Sequence, residues 1–364
     1  MSLRVLIAGG GTGGHIFPAL AIAGALKKMD ASMDILFVGA KGKMEMEKVP
    51  QAGYSICGLD IVGFDRSSLI KNMALPWKLL KSFWQVRKII RAFRPDAVLG
   101  VGGYSSFPVL RVAQARSIPT FLHESNAYAG KTNQLLARRA TCIFTGAGGL
   151  EKFFPAHKIF FTGNPVRESI CATRPDRQQA ANFFSLSSDR TTLLVMGGSL
   201  GARSINRAID QGLDRLLEAG IQVIWQTGKS YAPLAAARVA DRPGCYTADF
   251  IREMEYAYAA ADVVISRSGA MTVAELAVVG KPVLFVPYPL AAEDHQRVNA
   301  EQLVRKQAAW LVPDEEAETS LVSRALALCL DRSAQRSLSE AIGSFAVRDA
   351  AQKLATELVK QVSQ

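Results

Sequence analysis

Between an apolar run and a helical pattern, residues 6–20 read LIAGGGTGGHIFPAL. Gly9, Gly11 and Gly14 fit the GxGxxG spacing, and His15 follows at once. The stretch therefore offers backbone amides to an anion and an imidazole to a proton. Two fuller readings fail on neighbouring residues. A dinucleotide site needs an acid at the end of the second strand, but DILFVGAKG carries Asp34 at its start and closes on Gly39 and Ala40. A phosphate loop of the Walker type ends in Gly-Lys-Ser/Thr, whereas this one continues Gly-His-Ile. What remains is a loop suited to phosphate or a polar sugar, before a helix expected to start near Ile16 with its positive dipole end toward the ligand. A histidine there is expected to stay neutral and able to accept a proton. The plain alternatives are a tight turn without a ligand and a histidine that only caps the helix.

Two more glycine loops have the same form. GVGGYSSFP (Gly100–Pro108) contributes Gly102, Gly103, Tyr104 and Ser105, and GGSLGAR (Gly197–Arg203) follows the run LLVM. Three such loops imply a ligand with several phosphates, or two ligands. A fourth stretch, SRSGAMTVAELAVVGKPVLFVPYP (Ser266–Pro289), reads as loop, helix and strand. Gly269 makes the turn and Ala270–Val279 the helix, with Glu275 in its second turn. A carboxylate there can accept hydrogen bonds from both ribose hydroxyls while the first amides of the helix face a diphosphate. A solvated helix glutamate is the plain alternative.

The elements that must position these groups are apolar runs alternating with helical patterns: Val5–Ala8, Ile35–Val38, Ala97–Val101, Thr120–His123, Cys142–Thr145, Leu193–Met196, Val223–Gln226, Val263–Ser266 and Pro282–Val286. Such alternation predicts parallel sheets with ligands at the carboxyl ends of strands. The strand–glycine loop–helix order opens twice, so two similar α/β domains are expected, residues 1–163 and 164–346, with a hinge at Gly163–Arg167. The last helix, 347–364, is expected to rejoin the first domain. Half of the 364 residues are apolar (49 %) and 21 % are charged, which excludes a disordered chain. The five cysteines, Cys57, Cys142, Cys171, Cys245 and Cys329, form no CxxC pair; they suit a reducing compartment and argue against a disulfide framework. Neither a signal peptide nor a membrane-spanning run is expected. Charge is uneven: residues 1–163 hold 21 Lys and Arg against 9 Asp and Glu, and the remainder 22 against 23. An anionic surface or ligand is therefore expected on the first domain only.

The motifs taken together resemble glycosyltransferases of the GT-B type. More narrowly, GGGTGGHIFPALA, GGYSSFP, HESNAYAGKTN (His123–Asn133), GNPVR, GGSLGAR, RSGAMTVAE and EDHQRVNA (Glu293–Ala300) are similar, in this order, to the lipid II-forming N-acetylglucosaminyltransferases of peptidoglycan synthesis. The resemblance covers essentially the whole chain. It implies an α/β GT-B architecture, two Rossmann-like parallel-sheet domains facing a deep cleft. It also implies an inverting transfer from UDP-N-acetylglucosamine to the C4 hydroxyl of the MurNAc of a polyprenyl-pyrophosphate-linked MurNAc-peptide, lipid I. On that likeness Thr12, Gly13 and Gly14 line the acceptor side, with Gly102, Gly103, Tyr104 and Ser105 as an acceptor loop, and His15 is the general base with Glu124 a rival or helper. Asn126 contacts the donor sugar and Arg167 the donor nucleotide. Ser199 holds the donor diphosphate, with Ala270, Met271, Thr272, Val273 and Ala274 around the phosphates and Glu275 on the ribose. Ile251 reads the uracil edge through its backbone, and Gln296, beside His295, recognises sugar hydroxyls. Leu200, Met271, Ala274 and Ser125 depart from the family's usual spelling, which touches fine contacts only. No metal or other cofactor is expected, since Asp60 and Asp65 are too loosely placed to serve as a DxD pair. The neighbouring reading is another UDP-sugar transferase with a lipid acceptor, of the diacylglycerol glucosyltransferase kind. A non-catalytic sugar-nucleotide sensor would keep the Glu275 pocket but would not need His15.

One stretch remains. From Arg66 to Pro95 the chain has eight basic residues and no acid. At helical spacing Leu79, Phe83, Val86, Ile90 and Phe93 share one face, while Trp77, Leu80 and Trp84 fall elsewhere with Lys81, Lys88 and Arg91. Indoles among lysines suit an anionic headgroup boundary, so peripheral docking on the cytoplasmic face of the cell membrane is expected. A groove beneath another segment is the alternative. No nucleic-acid motif accompanies the charge, so no nucleic-acid partner is expected.

Overall fold

A computed structural model of the chain describes residues 2–63, 75–172, 175–198 and 201–363. They divide into two compact units, Met1–Arg167 with Asp349–Gln364, and Glu168–Arg348. The Gly163–Arg167 stretch stays with the first unit, where the Asn164 side-chain amide donates to the Ser125 carbonyl at 2.9 Å.

The first unit is built on seven parallel strands. They are β1 (Arg4–Ala8), β2 (Asp34–Ala40), β3 (Ser55–Leu59), β4 (Ala97–Gly100), β5 (Thr120–Glu124), β6 (Cys142–Thr145) and β7 (Ile159–Phe161), in the order β3-β2-β1-β4-β5-β6-β7. β4, β5 and β6 are buried along their whole length, as strands covered on both faces must be. Leu354, Ala355 and Leu358 of the C-terminal helix Ala350–Ser363 join Val5, Ile7, Ile22 and Leu26 in one apolar core, so this helix belongs to the first unit.

The second unit repeats the plan with six strands, also parallel. β8 (Thr192–Met196), β9 (Gln222–Gln226), β10 (Cys245–Ala248), β11 (Val263–Ser266), β12 (Val283–Phe285) and β13 (Trp310–Leu311) run in the order β10-β9-β8-β11-β12-β13. In each sheet the strand order reverses beside its first strand, between β1 and β4 and between β8 and β11. Loops leaving the carboxyl ends of strands on either side of such a point diverge and leave a crevice. Both pairs of glycine-bearing loops follow those four strands.

The first helix corrects one expectation. It spans Gly13–Met29, with Thr12 as N-cap, rather than starting near Ile16. The Thr12 carbonyl accepts from the amides of both His15 (3.1 Å) and Ile16 (3.2 Å), which draws Gly13 and Gly14 into the first turn. His15 is thus fixed to a helix rather than carried on a loop.

Candidate functional site

At the first switch point two glycine loops press backbone against backbone. Gly103 has φ +82° and a Cβ there would lie 2.4 Å from the Gly10 carbonyl oxygen; Gly102 has φ +98° and its Cβ would meet the His15 ring at 2.7 Å. Only glycine satisfies both the left-handed backbone and the missing space. The imidazole is therefore bounded by the second loop, and its other side is tied to the first. His15 Nδ1 lies 3.2 Å from the Gly10 carbonyl oxygen and 3.3 Å from Thr12 Oγ1. A carbonyl only accepts, so Nδ1 carries the hydrogen and Nε2 the lone pair. Thr12 and Gly14 are exposed and Gly13 is half-buried beside it.

The second loop supplies less surface than the sequence suggests. Ser105, expected on the acceptor face, is 1 % exposed, because the chain turns there into the helix Ser106–Ala115. Gly102, Gly103 and Tyr104 remain accessible in part, although the Tyr104 hydroxyl is buried and has no hydrogen-bond partner among the described residues.

Glu124 ends β5 and is buried. Its Oε1 accepts from the backbone (3.1 Å) and side-chain (3.3 Å) N–H groups of Asn126, and its Oε2 from the Gly130 amide (2.9 Å) and the Asn133 side chain (2.9 Å). Burial raises its pKa, opposed by these four donors. Four donors occupy about as many lone-pair sites as a carboxylate has. Glu124 thus acts as the centre about which residues 125–133 fold, and it presents Asn126. His123 beside it is fully buried, and burial, helped by the nearby His15, takes its pKa down to about 4. It stays neutral near pH 7. The Arg167 guanidinium lies 5.1 Å from the Phe17 ring centroid on the first helix.

In the second unit Ser199 lies outside the described residues, as does Leu200. The helix Ala270–Val279 is capped by Gly269 and has no acid in its first turn, so its leading amides keep their capacity for an anion. Thr272, Val273 and Ala274 are half-buried, whereas the Met271 side chain is buried, which leaves Met271 its backbone as a ligand contact. Glu275 is also buried, and its Oε2 accepts from the Tyr258 hydroxyl at 3.0 Å. Ile251 is placed differently from the expected uracil reader in one respect: its amide already donates to Gln226 Oε1 at 2.9 Å. Its carbonyl is the atom left to meet a base N–H.

Other residues of these motifs hold the loops. Arg267 donates to the carbonyls of Val286 (2.9 Å) and Pro287 (3.0 Å) and to Asp314 (2.5 Å), so its guanidinium is a structural clamp. Ser268 Oγ donates to the Gln296 carbonyl at 2.8 Å, and the Asn299 side chain donates to the Ser268 carbonyl at 3.2 Å. Gln296 Oε1 accepts from the Tyr288 amide at 3.0 Å, which turns its NH2 into the group suited to a sugar hydroxyl. His295, beside it, opens the helix His295–Val304. Among the described residues no group of three or more His, Cys, Asp or Glu is placed to hold a metal ion. Asp65 is outside the described residues, and Asp60 is engaged with Lys41 (2.9 Å) and Lys81 (3.0 Å).

The basic aromatic helix is Leu75–Phe93. Val86 and Ile90 are buried, and Leu79, Phe83 and Phe93 pack against the same core. Trp77, Leu80 and Trp84 are 74 %, 63 % and 56 % exposed. Lys88 Nζ lies 3.6 Å from the Trp84 ring centroid. Lys81, by contrast, spends its charge on Asp60, which leaves Lys88 and Arg91 as the stronger cations of the patch. No helix of the described residues is long and apolar enough to cross a membrane.

Known proteins are similar over the full length. The glycosyltransferase family 28 N-terminal domain matches residues 5–145, and the C-terminal domain of the same family matches residues 192–354. The UDP-N-acetylglucosamine–N-acetylmuramyl-(pentapeptide) pyrophosphoryl-undecaprenol N-acetylglucosamine transferase of Bacteroides fragilis is 49 % identical over 367 residues, covering 100 % of this chain and 97 % of that one. The Cytophaga hutchinsonii protein of the same name is 46 % identical, covering 99 % and 97 %. Among solved structures, Acinetobacter baumannii MurG superposes with a TM-score of 0.78 at 28 % identity, covering 99 % of this chain and 100 % of that one. A UDP-N-acetylglucosamine 2-epimerase, at 16 % identity and a TM-score of 0.68 over 98 % and 95 %, shares the fold alone.

Proposed function

The chain belongs to glycosyltransferase family 28, and from that premise we propose that it makes lipid II from lipid I. N-acetylglucosamine passes from UDP-N-acetylglucosamine to the C4 hydroxyl of the MurNAc of undecaprenyl-pyrophosphoryl-MurNAc-pentapeptide, giving a β-1,4 linkage and UDP. The observation that carries this reading is the end-to-end identity with transferases that bear these substrates in their names. The alternative of a diacylglycerol acceptor has no comparable support.

The chemistry follows from the groups described. A sugar hydroxyl is far too weak an acid to ionise at neutral pH, so its proton must leave as the bond forms. His15 Nε2 takes that proton. The O4–C1 bond forms on the face opposite the phosphate, the C1–O bond to UDP breaks, and the anomeric centre inverts from α to β. The departing diphosphate gathers negative charge, which the leading amides of the Ala270–Val279 helix stabilise. Glu275 accepts from the ribose hydroxyls with Tyr258 orienting it, the Ile251 carbonyl meets the uracil N–H, and Gln296 donates to a sugar hydroxyl. Glu124 is the helper rather than the base, holding Asn126 and its loop in place. Labelled UDP-N-acetylglucosamine with a soluble lipid I analogue is expected to yield a β-linked disaccharide. An α-linked product, or transfer only to diacylglycerol, would overturn the assignment.

The acceptor is a lipid, and the Leu75–Phe93 helix brings the enzyme to it as a peripheral protein on the cytoplasmic leaflet. Its exposed indoles enter the headgroup boundary while Lys88 and Arg91 face anionic lipid. Each basic residue near such a surface contributes about 1 kcal/mol. Reversing Lys88 and Arg91 to Glu together should therefore weaken binding to phosphatidylglycerol vesicles by about tenfold or more. Unchanged sedimentation with those vesicles would discard this docking mode.

A further inference from the structure

Glu45 opens the short helix Glu45–Gln51 and is 1 % exposed. It lies beneath the first glycine loop. Its Oε2 accepts from the Gly11 amide at 2.9 Å and its Oε1 from the Ala40 amide at 3.0 Å. A Cβ on Gly10 would fall 2.2 Å from Oε1, and one on Gly39 would fall 2.4 Å from Cγ. The side chain therefore fills the crevice between the ends of β1 and β2, where a dinucleotide-binding domain seats a ribose.

The Gly11 N–H and the Gly10 C=O belong to one peptide unit. Because that unit is planar and trans, its N–H and C=O point in opposite directions. Anchoring the N–H on Glu45 aims the carbonyl the other way, and there it meets His15 Nδ1 at 3.2 Å. We propose that Glu45 is a positioning residue for the transfer reaction, acting on His15 through the Gly10–Gly11 peptide. The arrangement works as the carboxylate partner of a catalytic histidine does, with a peptide group interposed. The carboxylate holds the loop, polarises the peptide so that its carbonyl accepts more strongly, and so keeps the hydrogen on Nδ1 and the lone pair on Nε2. Its negative charge also favours the imidazolium that forms when His15 takes the acceptor proton.

This inference rests on His15 being the base, and the experiment separates the two. In Glu45→Gln an amide NH2 or a single neutral oxygen replaces an acceptor, and the charge is gone. The expected result is a fall in kcat of about tenfold to a hundredfold, with the KM for UDP-N-acetylglucosamine within about twofold of the parent. The acid limb of the kcat–pH profile should move to lower pH, because the imidazolium has lost a stabilising charge. Independently of turnover, the 15N spectrum of the parent's His15 ring should show the Nδ1–H tautomer, and that of Glu45→Gln a mixture of both. A parent ring protonated on Nε2, or a variant with unchanged tautomer and acid limb, would overturn the proposal, and the parent spectrum decides even where the variant does not fold. If the tautomer shifts while kcat does not, Glu45 sets the ring but His15 is not the base, and the proposal fails as one about catalysis.

Discussion

Replacing His15 by alanine lowers turnover by a factor of about 100 to 10,000, the usual contribution of a positioned general base, and leaves UDP binding as it was. The size follows from the commitments of the neighbouring candidates among the described residues. Glu124 has its lone pairs committed to Asn126, Gly130 and Asn133, and His123 is buried and held neutral. Neither can turn toward an acceptor hydroxyl without abandoning the hydrogen bonds or packing that hold residues 123–133. Water must then take the proton, at a much poorer match of pKa. Measuring kcat and the UDP dissociation constant on the same preparation checks this. A loss of less than about threefold in kcat would remove His15 from the mechanism.

Replacing Glu275 by alanine acts on the other substrate. A hydrogen bond to an ionised group contributes about 1.5–3 kcal/mol, so losing the ribose contacts should weaken UDP about tenfold to a hundredfold. The KM for the donor should rise in the same proportion, while kcat at saturating donor falls much less, since the ribose hydroxyls take no part in the bond changes. Removing the carboxylate also takes from the buried Tyr258 hydroxyl the oxygen it donates to at 3.0 Å, so some loss of thermal stability is expected beside the binding effect.

The central strands of both sheets are legible in the sequence, and the four that are not, β3, β7, β10 and β13, are the four sheet edges. The reason is burial. A strand covered on both faces must be apolar throughout, whereas β3 and β10 are mostly half-buried and β7 keeps Phe160 and Phe161 exposed. Their composition carries no periodic signal. The glycine loops are legible because conformations at positive φ and backbone approach select glycine strongly.

What the loops do with their neighbours is not legible. Glu45 lies 34 residues from the amide it holds, on a helix that nothing in KGKMEMEK distinguishes from a solvated one. β2 closes on Gly39 and Ala40 without an acid, yet the acid that meets Ala40 comes five residues later and turns inward. Likewise, the use of the Ile251 amide by Gln226, the burial of Ser105 and the clamp role of Arg267 depend on partners brought near by folding. Residue type and spacing identified where chemistry occurs. The assignment of atoms required the contacts.

On the proposed mechanism two units of one plan take two tasks: the second offers the crevice of its switch point to a nucleotide, while in the first Glu45 fills the space between the ends of β1 and β2 and the glycine loops hold a base. Calorimetric titration of UDP into the parent, His15→Ala and Glu275→Ala tests this most directly. The same affinity is expected for the parent and His15→Ala, and a dissociation constant raised about tenfold to a hundredfold for Glu275→Ala. UDP binding that weakens with His15→Ala and is untouched by Glu275→Ala would place the nucleotide on the first glycine loop and contradict the account.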